Sequence, residues 1–94
     1  MKLLMILVDD EKKEELEILL ERSGVAGYTE IPRAVGSGES GPRLGSRAFP
    51  KTTAILFTML EAEALKKLVH EIETHCRECG ERVKMIAWGV ESVL

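Results

Sequence analysis

The chemistry of this sequence is concentrated in a glycine- and arginine-rich segment, Gly36 to Arg47. Glycine lets backbone N–H groups approach an anion closely, and an arginine guanidinium can bind a phosphate or carboxylate through two parallel hydrogen bonds. The segment lacks the Gly-Lys-Ser/Thr ending of a Walker loop and does not open a helix, so it is a weak phosphate signature. A flexible connection between two strands is the alternative. Bulky apolar residues among the charges, such as Leu44 and Phe49, favour a functional segment.

A second group of chemically capable residues lies around position 76. Cys76 and Cys79 are three positions apart and His75 is adjacent, so two or three soft ligands could converge on a metal at the end of a helix. A structural zinc site needs four ligands, and the chain has no second cysteine pair, so a neighbouring subunit would have to complete the set. Alternatively, Cys76 extends the apolar stripe of the helix and is a core residue. The spacing leaves both interpretations open.

Two cations follow the glycine at position 80. Arg82 and Lys84 are two residues apart, which in a strand places both side chains on one face, where they could neutralise a phosphate. Arg77 would join them from the end of the preceding helix. The alternative is an ordinary solvated edge, with Arg77 suiting the negative end of the helix dipole. The sequence contains no evident pairing of a nucleophile with a base, so we expect a protein that is not an enzyme.

Composition and charge limit the possible functions. A chain of 94 residues, of which 45% are hydrophobic and 4% aromatic, predicts one domain with an aliphatic core. Residues 31–60 contain four cations and one acid, so this segment carries +3 of a total of −3 and the remainder carries −6. An acidic body with one basic segment argues against general nucleic-acid binding and favours a local anion site. The opening apolar run is too short to span a membrane, and we expect a cytoplasmic protein that is not membrane-embedded.

The spacing of apolar residues predicts four strands and two helices. An apolar run over residues 2–8 predicts a buried strand, and leucines at helical spacing predict a helix over 10–23 that Gly24 ends. Strands are also predicted over 25–35, 51–60 and 82–88 from β-prone composition and alternation. A second helix is predicted over 61–79, closed by Gly80. Residues 36–50 have no hydrophobic period and are predicted to form a long loop.

The resulting βαββαβ order predicts a ferredoxin-like α+β fold, in which a four-stranded antiparallel sheet carries both helices on one face. The other face of the sheet would then be bare. In so small a protein, copies of the chain can cover that face, and a trimer is one closed arrangement.

This arrangement resembles the nitrogen-regulatory P-II signalling family and its divergent P-II-like relatives. The resemblance covers most of the chain: the first strand, the end of the first helix from Ser23 to Thr29, a loop in the T-loop position, and a helix–turn–strand in the B-loop position. Typical members have Thr-Gly-Lys-Ile-Gly-Asp-Gly-Lys in the B-loop, where this chain has Cys76 to Lys84. The T-loop here is also short and lacks the tyrosine that some members have modified. The chain is therefore similar to a P-II-like relative with an altered ligand.

The resemblance implies one P-II-like domain over residues 1–94, with a T-loop-like segment at about 36–50, and a homotrimer with small-molecule sites between subunits. It implies a small anionic ligand, with ATP, ADP or AMP as candidates, bound by loop backbone and B-loop cations: Gly36, Gly38, Arg82 and Lys84. It also implies a regulated partner, a transporter or metabolic enzyme, contacted through Gly41, Arg43, Gly45 and Arg47. Ordering of the glycine-rich loop on ligand binding would be the switch, because such a segment loses much entropy when it orders.

Two other functions remain open. Trimeric ferredoxin-like proteins include the divalent-cation-tolerance proteins, so a metal-binding or metal-tolerance trimer could use His75, Cys76 and Cys79 as ligands. The third hypothesis is a structural trimer whose loop docks a protein and binds no ligand.

Overall fold

The computed structural model describes residues 1–80 and 82–94, apart from the side chain of Cys79. Strands and helices alternate along the chain, with a short 3-10 turn at Asp10–Lys12 before the first helix. Their bounds within the described residues are β1 Lys2–Asp9, α1 Lys13–Arg22, β2 Thr29–Ala34, β3 Gly36–Gly38, β4 Gly41–Arg43, β5 Thr53–Leu60, α2 Ala62–Cys79 and β6 Lys84–Gly89.

The main sheet has four strands in the order β2-β5-β1-β6, and every neighbouring pair is antiparallel. This order confirms the predicted ferredoxin-like fold. The central strand β1 pairs with β5 along its whole length, from Lys2 opposite Leu60 to Asp9 opposite Thr53. On its other side β1 pairs with β6, which begins at Lys84 opposite Leu7. The end of β1 therefore lies beside the start of both neighbouring strands.

The core lies between one face of the sheet and the two helices. Alternate residues of β1 and β5 are buried on this face, as the period of two in a strand requires. They contact two buried leucines of α1 and the buried Leu68 and Ile72 of α2. The buried apolar residues are Leu4, Ile6, Val8, Leu16, Leu20, Ala54, Leu56, Leu60, Leu68 and Ile72. The predicted aliphatic core is thus confirmed, and both helices cover the same face.

The opposite face of the sheet, which we call the open face, is apolar. Met5 lies at its centre between Phe57 of β5 and Ile86 of β6, because directly paired residues of antiparallel strands share a face. The remaining apolar members are Leu3, Leu7, Ile31, Ile55, Met59 and Trp88. None of these residues is fully buried, and several are large exposed side chains. A continuous apolar surface of this kind on so small a chain marks an interaction face.

The ends of the helices follow the signals in the sequence. Gly80 ends α2 in the left-handed conformation, with φ of 70°, and its N–H donates to the carbonyl oxygen of Cys76. Helix α1 starts later than predicted, because residues 10–12 form a 3-10 turn in which the Asp9 carboxylate accepts from the N–H of Glu11. In the described part of the chain, no helix has both the length and the apolar character needed to cross a membrane.

The main difference from the sequence prediction lies in residues 36–50, which we call the long loop. Its first half is a two-stranded hairpin, in which Gly36 of β3 pairs with Arg43 of β4. The hairpin has no hydrophobic alternation because its contacts with the sheet are polar and run through Arg43, so periodicity could not reveal it. The strand predicted over 25–35 is also shorter and begins at Thr29, and a bulge between Ile31 and Ala34 interrupts its pairing with β5.

Thr58 is a buried polar residue on the core face of β5, and it gives the first testable prediction. It is 3% exposed, and its Oγ1 donates to the carbonyl oxygen of Gly27 at 2.7 Å. We expect Thr58→Val to lower the free energy of unfolding by about 1–3 kcal/mol, because it keeps the shape but leaves the carbonyl without its donor. The measurement is urea denaturation. Thr58→Ser keeps the bond and is the control, with an expected loss of about 1 kcal/mol for the methyl group. A larger loss for serine than for valine would contradict the role of the bond.

Candidate functional site

The long loop is fixed at its base by the last residue of β1. One carboxylate oxygen of Asp9, Oδ1, accepts from the N–H of Glu11 at 3.1 Å. The other oxygen, Oδ2, lies 3.1 Å from Nη2 of Arg43 and 3.9 Å from Nζ of Lys51. Because Asp9 pairs with Thr53 of β5, the position of this carboxylate is set by the sheet. Asp9 therefore connects the rigid centre of the fold to two cations of the loop.

Arg43 makes further contacts that turn its side chain toward the sheet. Its Nε donates to Oγ1 of Thr53 at 3.0 Å, and its Nη2 donates to the carbonyl oxygen of Thr52 at 2.8 Å. The side chain is 22% exposed and that of Asp9 is 23% exposed. One guanidinium thus joins the end of β1, the start of β5 and the end of the hairpin. The sequence analysis predicted Arg43 as a partner contact and did not anticipate these internal bonds.

Asp10 holds the two ends of the same loop together. Its Oδ2 accepts from the backbone N–H of Arg33 at 2.9 Å and from Oγ1 of Thr52 at 2.6 Å, and its own N–H donates to the carbonyl oxygen of Thr52 at 3.2 Å. Arg33 lies in the β2 bulge with φ of 54°, a conformation that non-glycine residues rarely adopt. The bond from Asp10 compensates that strain. We call Asp9, Asp10, Arg43 and Thr52 the loop base.

The second half of the long loop is a compact turn. The N–H groups of Leu44 and Ser46 both donate to the carbonyl oxygen of Phe49, and Gly45 donates to that of Lys51. Gly45 has φ of 64°, and a Cβ there would lie 3.0 Å from the Thr52 side chain, so only glycine suits the position. Leu44 and Phe49 are exposed large apolar residues. Arg47, one of the predicted partner residues, is exposed at this turn.

A cleft of about 360 Å³ lies beside the end of α2 and the start of β6. It contains two arginines, Arg77 from the helix and Arg82 from the turn, together with apolar atoms of Val83 and Met85. Glu73 and Cys76 complete the lining. Within the described part of the chain, neither arginine is hydrogen-bonded or ion-paired to another residue. The two guanidinium groups in one concave site can bind an anion such as a phosphate group, although Glu73 places one acidic side chain in the same cleft.

The structure separates Arg82 from Lys84, which the alternation had placed on one face of a strand. Strand β6 begins only at Lys84, so Arg82 precedes it and lines the cleft on the helix side. Lys84 lies opposite Leu7 on the open face. The prediction of a shared face is therefore wrong, because the strand does not extend back to residue 82.

The predicted ligand residues lie at one end of the sheet but at its two opposite edges. Gly36 and Gly38 follow β2, whereas Arg82 and Lys84 lie at the start of β6. Two strands separate these edges, so at about 4.8 Å per strand they are roughly 14 Å apart. One small ligand cannot contact both sets within a single chain. The two sets can meet only where the edge of one copy faces the opposite edge of another.

The structure lends no support to the predicted metal ligands. Across residues 1–80 and 82–94, no group of three or more histidine, cysteine or acidic side chains could hold a metal ion. Nε2 of His75 lies 3.4 Å from a carboxylate oxygen of Glu15, and Cys76 lines the cleft. The side chain of Cys79 lies outside what the structure describes, so that part of the prediction is not assessed.

Asp9 and Asp10 hold the base of the long loop, a role that was not predicted from the sequence. The sequence analysis assigned both residues to the start of the first helix, and Asp9 does cap the 3-10 turn. The contacts with Arg33, Arg43 and Thr52 join parts of the chain that are distant in sequence, so no local spacing reports them. One signal in the sequence could have indicated this role: Asp9 and Asp10 come directly after the apolar run of the first strand. In a ferredoxin-like sheet, loops begin and end beside that end of the strand.

The electrostatic environment of Asp9 gives the second prediction. Burial acts to raise the pKa of Asp9, but the hydrogen bond from Glu11, the bond and charge of Arg43 and the charge of Lys51 outweigh it, so the pKa lies below its ordinary value of 3.8. The folded state therefore gains stability from Asp9 above the unfolded pKa and loses it as the pH falls through the lowered folded pKa.

We expect Arg43→Gln to raise the pKa of Asp9, because the effect of burial remains while the largest cationic contribution is lost. The measurement is a pH titration of the Asp9 carboxyl carbon by NMR. Arg47→Gln removes an equal charge from the same loop without touching Asp9, and we expect it to leave this pKa unchanged. Equal shifts in the two variants would show that overall charge, and not the ion pair, sets the pKa.

Known proteins share the fold of this chain, and a family model matches its sequence. No curated protein matches the chain. Among solved structures, CPII of Thiomonas intermedia K12, a nitrogen regulatory PII-like protein bound to ADP, AMP and bicarbonate, is 23% identical, with 95% of this chain and 86% of that chain covered and a TM-score of 0.72. CPII bound to ADP, AMP and acetate is 23% identical over 97% and 88%, with a TM-score of 0.63.

A third similar structure, described as a PII-like signaling protein of Thermus thermophilus, is 18% identical over 93% and 83% of the two chains, with a TM-score of 0.71. At these identities the structures show the shared fold. The family model described as Nitrogen regulatory protein P-II matches residues 1–93, nearly the whole length of the sequence. The chain therefore belongs to the nitrogen regulatory protein P-II family, as a divergent P-II-like member.

Proposed function

We propose that this protein is a P-II-like regulator that binds a small anionic ligand between subunits and acts on a partner protein through its long loop. The observation that carries this proposal is the cleft beside α2, whose lining includes the guanidinium groups of Arg77 and Arg82, and neither group is ion-paired within the described residues. A regulatory role agrees with membership of the P-II family and with the exposed, structured loop. The protein binds and signals, and it is not an enzyme.

The ligand we propose is an adenine nucleotide. Guanidinium groups bind phosphate oxygens through paired hydrogen bonds, and the side chains of Val83 and Met85 offer an apolar surface for a base. CPII of Thiomonas is bound to ADP and AMP, which supports this class of ligand. CPII is also bound to bicarbonate or acetate, so we propose a small planar oxyanion as a second ligand of this chain.

The assembly we propose is a homotrimer. The open face exposes apolar residues that a monomer would leave in water, and covering them with further copies stabilises so small a chain. Closed symmetry would also bring the two edges of neighbouring sheets together. In that arrangement Gly36 and Gly38 of one copy meet Arg82 and Lys84 of the next, and the ligand site lies between two P-II-like domains, each formed by residues 1–94.

The partner we propose is a cytoplasmic-side transporter surface or a metabolic enzyme. The long loop, at about residues 36–50, would contact it through Gly41, Gly45 and the exposed Arg47, and through Arg43 once its contact with Asp9 is broken. The loop carries exposed apolar and basic side chains together, which is the composition of the centre of many protein interfaces.

The third prediction tests the nucleotide site. We expect the double variant Arg77→Gln/Arg82→Gln to weaken ADP and AMP binding by at least about tenfold, because each charge-assisted bond to phosphate contributes more than a neutral one. Isothermal titration calorimetry measures it. The matched control is Arg22→Gln/Lys66→Gln, which removes two exposed cations elsewhere. Equal weakening in both variants, or no binding of ADP, AMP or ATP by the natural sequence at millimolar concentration, would contradict the proposal.

The fourth prediction tests the assembly. Ile86 lies on the open face and is 41% exposed, so Ile86→Asp removes no core contact but places a charge in the proposed interface. We expect this variant to sediment as a monomer, while the natural sequence sediments at about three times the 10.5 kDa chain mass. Ile18→Asp is the control, since Ile18 is 55% exposed on α1. A trimer that survives Ile86→Asp would place the interface elsewhere.

A further inference from the structure

Arg43 of the long loop and Lys51, the residue that follows the loop, both approach a single carboxylate oxygen. Oδ2 of Asp9 is contacted by Arg43 at 3.1 Å and approached by Lys51 at 3.9 Å, while Oδ1 is already bonded to the backbone of Glu11. The neighbouring carboxylate, Asp10, uses its Oδ2 for two uncharged donors, the Arg33 N–H and the Thr52 hydroxyl. Asp9 is therefore the internal anion to which the loop cations are bound.

The contact between Asp9 and Arg43 uses only part of what a guanidinium offers. Arg43 reaches the carboxylate through Nη2 alone, and the same Nη2 is shared with the carbonyl oxygen of Thr52. Among the described residues, Nη1 has no hydrogen-bond partner. A planar oxyanion that approached the Nη1–Nη2 edge could form the two parallel bonds that a guanidinium favours. Such an anion would make a more complete contact than Asp9 does.

The surroundings of the pair permit exchange. Both side chains are more than one-fifth exposed, so water and small solutes reach them, and a partly exposed ion pair contributes only modestly to stability. The loop as a whole is basic within an acidic chain, which raises the local concentration of anions. The hairpin strand beside Arg43 is glycine-rich, and a Cβ at Gly36 or Gly38 would contact nothing within 4 Å, so access is not blocked from that side.

We propose that Arg43 is an anion-exchange point at which a small planar oxyanion of the carboxylate or bicarbonate class replaces Asp9. Exchange removes the bond between the end of β1 and the hairpin, while the bond of Arg43 to Thr53 and the bonds of Asp10 remain. The long loop is thereby released from Asp9, and it stays tethered to β5 through Arg43 and at its two ends through Asp10. This inference rests on the proposed role of the loop as the signalling element. It places the proposed planar oxyanion at Arg43, where binding would break the contact between Asp9 and Arg43.

The test is an NMR titration of the full chain with sodium acetate or formate, with sodium chloride used to keep ionic strength constant. The side-chain Nε–H signal of Arg43 is the readout. We expect a saturable shift with acetate and formate and no saturable shift with chloride, because chloride cannot form two parallel bonds. In Asp9→Asn the internal competitor is removed, and we expect acetate to bind about tenfold more tightly.

Asp10→Asn is the matched control, because it removes one nearby negative charge without freeing Arg43. We expect its acetate affinity to stay within about twofold of the natural sequence, since a charge effect of that size is typical of a screened surface group. Equal tightening in Asp9→Asn and Asp10→Asn would overturn the proposal, because it would show general electrostatic attraction. Unchanged acetate affinity in Asp9→Asn, or a saturable acetate response of the remaining loop amides in Arg43→Gln, would also overturn it.

A second arm separates this inference from the proposed nucleotide site. In Arg77→Gln/Arg82→Gln the cleft is altered but Arg43 and Asp9 are intact, so the acetate shift of Arg43 should persist there. Loss of the acetate shift in this variant would contradict the proposal that exchange at Arg43 is independent of the cleft. Absence of nucleotide binding by the natural sequence, with the acetate exchange retained, would contradict the nucleotide proposal while supporting exchange at Arg43.

Discussion

The carboxylates of Asp9 and Asp10 are the constraint on which the presentation of the long loop depends. They stand at the end of β1, a central strand that is paired on both sides, so their positions are set by the whole sheet. From there Asp10 fixes the entry and the exit of the loop, and Asp9 fixes the returning strand of the hairpin through Arg43. A loop of this length and glycine content would otherwise lose its order for entropic reasons. Its order thus depends on two side chains at the end of the strand, in addition to the backbone bonds of the hairpin and the turn.

This dependence gives the loop an intermediate stability. Each bond to a charged group at this partly exposed loop base contributes about 1 kcal/mol, which is comparable to the cost of ordering one loop residue. The hairpin and the turn at Leu44–Lys51 add backbone bonds and one bond from the N–H of Phe49 to the hydroxyl of Ser46, and their side chains are mostly exposed. A free-energy difference of this size can be shifted by a ligand of modest affinity. A core element such as β1 could not respond in this way.

Much of the fold was predictable because its signals are local. The central strands β1 and β5 are apolar runs of strand length, and Gly24 and Gly80 mark helix ends where the left-handed conformation is needed. The site was less predictable. The ion pair of Asp9 with Arg43 joins distant parts of the sequence, and the hairpin at Gly36–Arg43 packs on nothing that would give it a hydrophobic period. The position of Arg82 depended on one strand boundary, which alternation alone cannot fix.

Gly36 and Gly38 lie at one edge of the sheet, and Arg82 and Lys84 lie at the opposite edge. Ligand binding by these residues would therefore depend on assembly. In the proposed arrangement no copy contains a complete receptor, so occupancy requires both the solute and a neighbouring copy. The response then depends on the concentration of the protein as well. At a low protein concentration fewer copies are assembled, so a solute concentration that fills the sites of a concentrated protein would leave the dilute protein unoccupied. Because the site is divided between two sheet edges, a response would require both a sufficient concentration of the solute and a sufficient concentration of the protein.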